Sequence, residues 1–224
     1  MRRTGGACIF LLLAWSAPAA AASFDCAKAQ SGVEKAICAD AEVSALDEYL
    51  GRYYAAARST LGRAAECMRT DQAQWLRTVR NACADAACLK KAYLERLGEL
   101  DALQPGATAL RNVELPRVPA LVWIVPPAAD NVAAPPRPSA KPLAARGRLV
   151  NEVVQGDGFV LRTAEGAAHI LLLTMFLDSP TDTQLEVLAK QADATFLARG
   201  YEARDSGGRA YYEPSRCVFL YRLP

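Results

Sequence analysis

Histidine is nearly absent from this 224-residue chain; His169 stands alone, in the stretch AHILLLTMF. Zinc sites need tightly spaced cysteines backed by a second pair or by histidines. His169 lies far in sequence from the N-terminal cysteines, so no metal and no cofactor is expected. A G-x-S-x-G turn and a paired-acid motif are also missing, which removes the usual signatures of hydrolytic chemistry, and no enzyme is expected. No apolar run reaches the roughly 20 residues that a membrane-spanning helix requires. Proline is absent from residues 23 to 104, which leaves that stretch free to be helical.

An excess of charge of one sign is lacking too. Arg2 and Arg3 precede the apolar run ACIFLLLAW and the small-residue exit SAPAAAAS, the pattern of a secretory leader. Cleavage is expected after Ala22, giving residues 1–22 as signal peptide and a periplasmic or secreted mature chain. That mature chain carries 24 basic and 24 acidic residues. Nucleic acid demands a basic face, so it is excluded as a partner.

Residues 23–104 are rich in Ala, Leu, Glu, Lys and Arg, a helical composition. A short helix is expected from Ser31 to Ala39. A second, capped by Asp40, shows Val43, Leu46, Leu50, Tyr53, Tyr54 and Leu61 at helical spacing, and Gly62 weakens its end. A third, from about Ala64 to Ala82, presents Met68, Trp75, Leu76 and Val79. Asp85 caps a fourth, with Leu89, Ala92, Tyr93, Leu97 and Leu100 on one face. Four short amphipathic helices pack most economically as a bundle. The carboxylates of Glu34, Asp40, Glu42, Asp47 and Glu48 read as caps or solvated groups.

Nine of the thirteen prolines fall between Pro105 and Pro142, so residues 105–142 are expected to form a proline-rich linker. Its apolar island, VPALVWIV at 118 to 125, is expected to pack against a domain. From residue 143 to 224 the period changes to that of strands: GRLVNEVV, GFVLRT, AHILLLTMF, ATFLARGYEAR and RAYYEPSRCVFLYRL. Gly156-Asp157-Gly158, Glu165-Gly166 and Ser206-Gly207-Gly208 supply turns, and one helix falls between Asp182 and Gln191. Three strands, a helix and two strands is the order of a small OB-like β-barrel. Gly147 and Gly200 suit strongly bent strands. The alternative is a simple twisted sheet with one covering helix. Tyr201, Tyr211, Tyr212, Phe219 and Tyr221 would offer a stacking platform, yet 13 basic against 12 acidic residues in 105–224 leave it without a positive groove. The fold class is therefore α+β.

Six cysteines follow the leader: 26, 38, 67, 83, 88 and 217. An even number in an oxidising compartment reads as disulfides, with about fifteen connectivities open. On one continuous helix Cys26 and Cys38 would stand roughly 18 Å apart, too far to bond. Ser31-Gly32 allows a reversal that brings them together. Cys83 and Cys88 would point about 140° apart on a helix and meet only if it breaks, which Asp85 permits. Cys67 and Cys217 either staple the two halves together or remain buried thiols, the second being favoured. These bonds, rather than a large apolar interior, are expected to hold the first eighty exported residues in shape.

The motifs FDC at 24 to 26, VEKAIC at 33 to 38, ALDEYL at 45 to 50, QWL at 74 to 76, RNAC at 80 to 83 and CLKKAYLERLGEL at 88 to 100 resemble the LprI-type lysozyme-inhibitor family. The resemblance spans residues 23 to 101, about a third of the chain. It implies a small exported, disulfide-bonded helical domain and inhibition of host lysozyme, which makes a c-type lysozyme the first candidate partner. The family's four recurring cysteines match Cys26, Cys38, Cys83 and Cys88. Cys67 is extra, and Ala41 stands where a proline is common. Lysozymes of that type are basic, but 11 basic against 12 acidic residues in 23–104 give almost no electrostatic steering. Inhibition would rest on shape and a few contacts. The alternative is a non-inhibitory interaction module acting through the barrel.

Overall fold

A computed structural model describes residues 22–105, 113–128, 141–152, 158–162, 168–173, 177–204, 207–208 and 210–224. All of the expected leader except Ala22 lies outside these residues, as do PPRP at 135 to 138 and most of the turn residues between the strands.

The helical part starts with a short 3-10 turn at Cys26–Lys28, whose Asp25 cap accepts from the Ala27 amide. Helix α1 (Gly32–Ala39) opens on a reciprocal capping box between Ser31 and Glu34. The Asp40 carboxylate caps α2 (Ala41–Thr60), accepting from the amides of Glu42 and Val43. Gly62, at φ +50°, turns the chain out of α2 in a conformation other residues resist. Then come α3 (Ala65–Thr78) and, capped by Asp85, α4 (Ala86–Asp101). The third helix is shorter than expected. It stops at Thr78, a 3-10 turn takes over at Arg80–Ala82, and Val79 loses its helical phase and becomes 40% exposed.

The strands are β1 (Ala120–Val125), β2 (Pro142–Glu152), β3 (Gly158–Arg162), β4 (Ala168–Leu173), β5 (Phe196–Arg204), β6 (Ala210–Tyr212) and β7 (Val218–Arg222), with helix α5 (Ser179–Ala189) between β4 and β5. They form one sheet in the order β1-β7-β5-β2-β3-β4-β6, and β6 also pairs with β5. Every pairing is antiparallel except β4 with β6. The chain is α+β.

Two expectations are corrected here. The stretch 105–142 is not linker throughout: Ala120–Val125 is an edge strand paired with β7. Pro116, Pro119, Pro126 and Pro127 flank that strand and never interrupt it, so its ladder loses no donor. A bulge between Leu121 and Trp123 adjusts its register. The last expected strand is two strands. Residues 213–217 break it, because Pro214 has no amide to give and the buried Glu213 carboxylate accepts instead from the Ser215 amide and hydroxyl.

The interior overturns the expectation of a disulfide-held bundle without a large core. Tyr53, Tyr93, Ile37, Leu46, Met68, Leu89, Leu97 and Leu100 are fully buried. Each such apolar side chain contributes about 1.5–3 kcal/mol, so these side chains outweigh the small local bridges. The core is also shared: Leu121 and Ile124 of β1 and Tyr221 of β7 belong to the same apolar cluster as the helices. Facing the other way, Val122, Val125, Val218 and Leu220 join Phe159, Phe196, Leu185 and Leu188 under α5. Strands β1 and β7 are thus buried on both faces, which a tethered pair of independent domains would not require. Gly98 marks the join, since a Cβ there would sit 3.0 Å from the Pro116 carbonyl.

Gly147 occupies the point where β2 changes partner, from β5 (through Gly147 itself) to β3 (from Arg148). A Cβ on it would fall 2.2 Å from the Arg162 carbonyl oxygen, a backbone atom that cannot step aside. Gly147→Ala is therefore expected to cost about 2–3 kcal/mol in urea unfolding, while Gly32→Ala, with open space around it, stays within about 1 kcal/mol. Equal effects would mean that the bend at Gly147 is not needed.

Candidate functional site

Where the helices meet the sheet, an open cleft of about 390 Å³ is walled by α3, α4, the stretch leading into β1, Arg199 of β5 and Tyr221 of β7. Its floor is an ion network. The Arg96 guanidinium, 3% exposed, donates to Gln72 Oε1 at 3.0 Å, to Asp71 Oδ2 at 2.5 Å and to Glu99 Oε2 at 2.7 Å. Burial opposes the charge on Arg96, but Glu99 and then Asp71 outweigh it and hold its pKa above the ordinary value. Asp71 and Gln72 are consecutive on α3, and Arg96 and Glu99 lie one turn apart on α4, so the network ties those two helices together.

Trp75 backs the cleft and meets the Tyr93 ring edge-on, with centroids 5.6 Å apart and planes at 62°. On the sheet side Arg199 lies over the Tyr221 ring, 5.1 Å from its centroid. Burial, and then the Glu99 and Asp71 charges, raise the Tyr221 pKa, so its hydroxyl stays protonated at any ordinary pH. The exposed residues of the lining include Gln74, Thr78, Val79, Glu95 and Arg199. Val79 is an exposed apolar side chain, and Glu95 has only a 3.9 Å solvent-exposed pairing with Lys91, which is worth at most about 1 kcal/mol.

The Arg96 guanidinium takes one oxygen of each inner carboxylate, Asp71 Oδ2 and Glu99 Oε2. An apolar contact beside an uncommitted acid suits a side chain with a cationic tip and an apolar stem. Among the described residues no cluster of three or more metal-ligating side chains occurs, and no helix is long and apolar enough to cross a membrane.

The expected site residues lie elsewhere. Cys26 is bonded to Cys38 and Cys83 to Cys88, with Cα atoms 5.8 and 5.4 Å apart. Cys67 and Cys217, favoured as free thiols, are bonded across 150 residues of sequence, because the packing of β7 on the helices brings their Cα atoms to 5.9 Å. None of the six cysteines lines the cleft. The aromatic platform is also absent: Tyr211, Tyr212 and Tyr221 are buried, and the Tyr212 hydroxyl donates to the Ala198 carbonyl at 3.0 Å.

Sequence reasoning passed over Arg96. A signal was present, since 96 falls in the apolar phase of α4 with 89, 92, 93, 97 and 100. A charge in a core stripe needs a partner, and Asp71 and Glu99 are that partner. No family model matches the chain, and no curated protein or solved structure matches it either.

Proposed function

We propose that this is an exported, non-enzymatic protein that binds and blocks a protein partner through the cleft between helices and sheet, with a c-type lysozyme as first candidate. One observation carries the reading: Arg96 pairs with both inner acids, while Glu95 and Val79 stand exposed in the same lining, beside Arg199, Gln74 and Thr78. Three disulfides and an interior common to helices and sheet support a surface that needs little ordering on binding. The LprI-type motifs of residues 23 to 101 supply the candidate. With no net charge on the mature chain, affinity would come from a few central contacts and not from steering.

The test is a titration of c-type lysozyme activity with the purified, oxidised mature protein. Saturating inhibition is expected. The double variant Val79→Asp with Glu95→Lys should weaken it tenfold or more without moving the unfolding midpoint, because both side chains stand at the rim. Full lysozyme activity at micromolar excess would remove this candidate.

A second reading keeps the sheet as the binding element. Strands β2, β3 and β4, then α5, β5 and β6, with β4 and β6 parallel, follow the strand order of an OB-like barrel. A groove between β2 and α5, edged by Arg148, Glu186 and Lys190, favours this reading. Binding that is lost with Arg148→Glu and Lys190→Glu but kept in the Val79 and Glu95 variant would select it.

A further inference from the structure

Asp47 was read as a solvated acid, and the structure corrects that: it sits within α2 at 4% exposure, on the stripe that carries Val43, Leu46 and Leu50. Its carboxylate has three short contacts. Oδ2 accepts from the Ser23 amide nitrogen at 2.7 Å and from the Ser23 hydroxyl at 2.6 Å, and Oδ1 accepts from the Tyr93 hydroxyl at 2.7 Å. All three donors are neutral. No ion pair found among the described residues includes Asp47. Arg80, from the turn after α3, reaches the same Tyr93 hydroxyl with its side chain and donates from Nε to Asn81, so it stands one hydroxyl away from Asp47 with no ion pair to it. A carboxylate this deeply buried is costly without a cation.

Ser23 is the first residue of the mature chain expected from the leader. We propose that the missing cation is the α-ammonium group of Ser23, created when the Ala22–Ser23 peptide bond is hydrolysed during export. Hydrolysis consumes one water, leaves Ala22 with a carboxylate and turns the Ser23 nitrogen into an ammonium. That nitrogen already lies 2.7 Å from Asp47 Oδ2, so cleavage turns a neutral donor into a charged one with no movement of atoms. The seat for it is shaped. Gly51, one turn beyond Asp47 on α2, lets Ser23 lie against the helix, and a Cβ at 51 would come 3.2 Å from the Ser23 Cβ. Leader removal acts on the unfolded precursor, so the burial of Ala22 in the folded chain does not obstruct it.

The device ties stability to processing. A precursor that keeps residues before Ser23 buries Asp47 without its cation and remains easier to unfold; the processed chain gains the pair and locks α2, α4 and the N-terminus together. This inference rests on the export reading above. Its experiment therefore has two arms. Full mature chains released from a fusion so that they begin at Ser23, at Ala22 or two residues earlier are compared by urea unfolding, each with Asp47 and with Asp47→Asn. The Ser23 start should raise the folding equilibrium constant by on the order of a hundredfold over both longer forms, and Asp47→Asn should abolish that advantage. Should Asp47→Asn not fold, the α-amino group of the Ser23 chain is probed with an amine-acylating reagent, where slow labelling in the native state and fast labelling in urea support the pair. Equal stabilities, an advantage that survives Asp47→Asn, or fast native-state labelling overturn the contact. Mass analysis of exported material supplies the second arm. A first residue other than Ser23 overturns the processing step alone, so the two failures are told apart.

Discussion

Replacing Cys67 and Cys217 by alanine is expected to lower the unfolding midpoint by roughly 10–20 °C, the largest loss from any of the three bridges. Cross-linking residues 150 apart removes far more freedom from the unfolded chain than a bridge spanning 12 or 5. Chain-entropy arithmetic gives about 5, 3 and 2 kcal/mol for the three in that order. The location adds to the effect. Cys67 is buried on α3 and Cys217 precedes β7, so this bond pins the sheet against the helices at the back of the shared core. Differential scanning calorimetry of the paired variants ranks the bridges. A midpoint that falls more for Cys83 and Cys88 than for Cys67 and Cys217 would contradict the ranking. A piece holding only residues 143–224 is not expected to fold, because β7 would lose its partner β1 and expose the face that carries Tyr221.

The second large effect is expected at Arg96. Arg96→Met keeps much of the volume and removes the charge, leaving the Asp71 and Glu99 carboxylates half-buried on one spot with nothing between them. Breaking a buried ion pair from one side costs about 3–5 kcal/mol, and urea unfolding should show that loss. Adding Asp71→Asn and Glu99→Gln to the same chain should recover most of it, since neutral amides tolerate the apolar methionine better than two charges do. A loss under about 1 kcal/mol for Arg96→Met would mean that water reaches the network and that the cleft floor is not built as described. Because Glu95 and Val79 lie at the rim, partner binding by the triple variant should survive, which separates the floor of the cleft from its contact surface.

Much of the local structure was legible. Asp40 and Asp85 announce their helices by offering a side-chain acceptor ahead of an apolar stripe, and both accept from backbone amides as cap residues do. The helix breaks needed to join Cys26 to Cys38 and Cys83 to Cys88 follow from helical rise and rotation alone. Less visible was the meaning of polar residues placed in apolar phase. Asp47 and Arg96 each occupy a core stripe of a helix, and reading the stripe as hydrophobic by default hid two of the positions where the interior carries an ionisable group. Both could have been flagged from spacing. Of their partners only Glu99, three residues on along the same helix, was open to that argument; Ser23, Tyr93 and Asp71 come from other elements.

Composition also misled where density stood in for position. Proline between 105 and 142 suggested a tether, yet the six residues from Ala120 to Val125 contain none, and an edge strand fits between the flanking prolines. Taken alone, the sequence determined the helix starts, the strand-rich second half, the near balance of basic and acidic residues and the helix breaks that permit the local bridges. These depend on backbone sterics, short-range capping and spacing within a few turns. The tertiary structure alone decided that β1 and β7 serve two cores at once, that Cys67 meets Cys217, and that a cleft opens over Arg96. Each of these joins residues far apart in the chain, and such contacts form only when two apolar faces are buried against each other, an event no local pattern encodes.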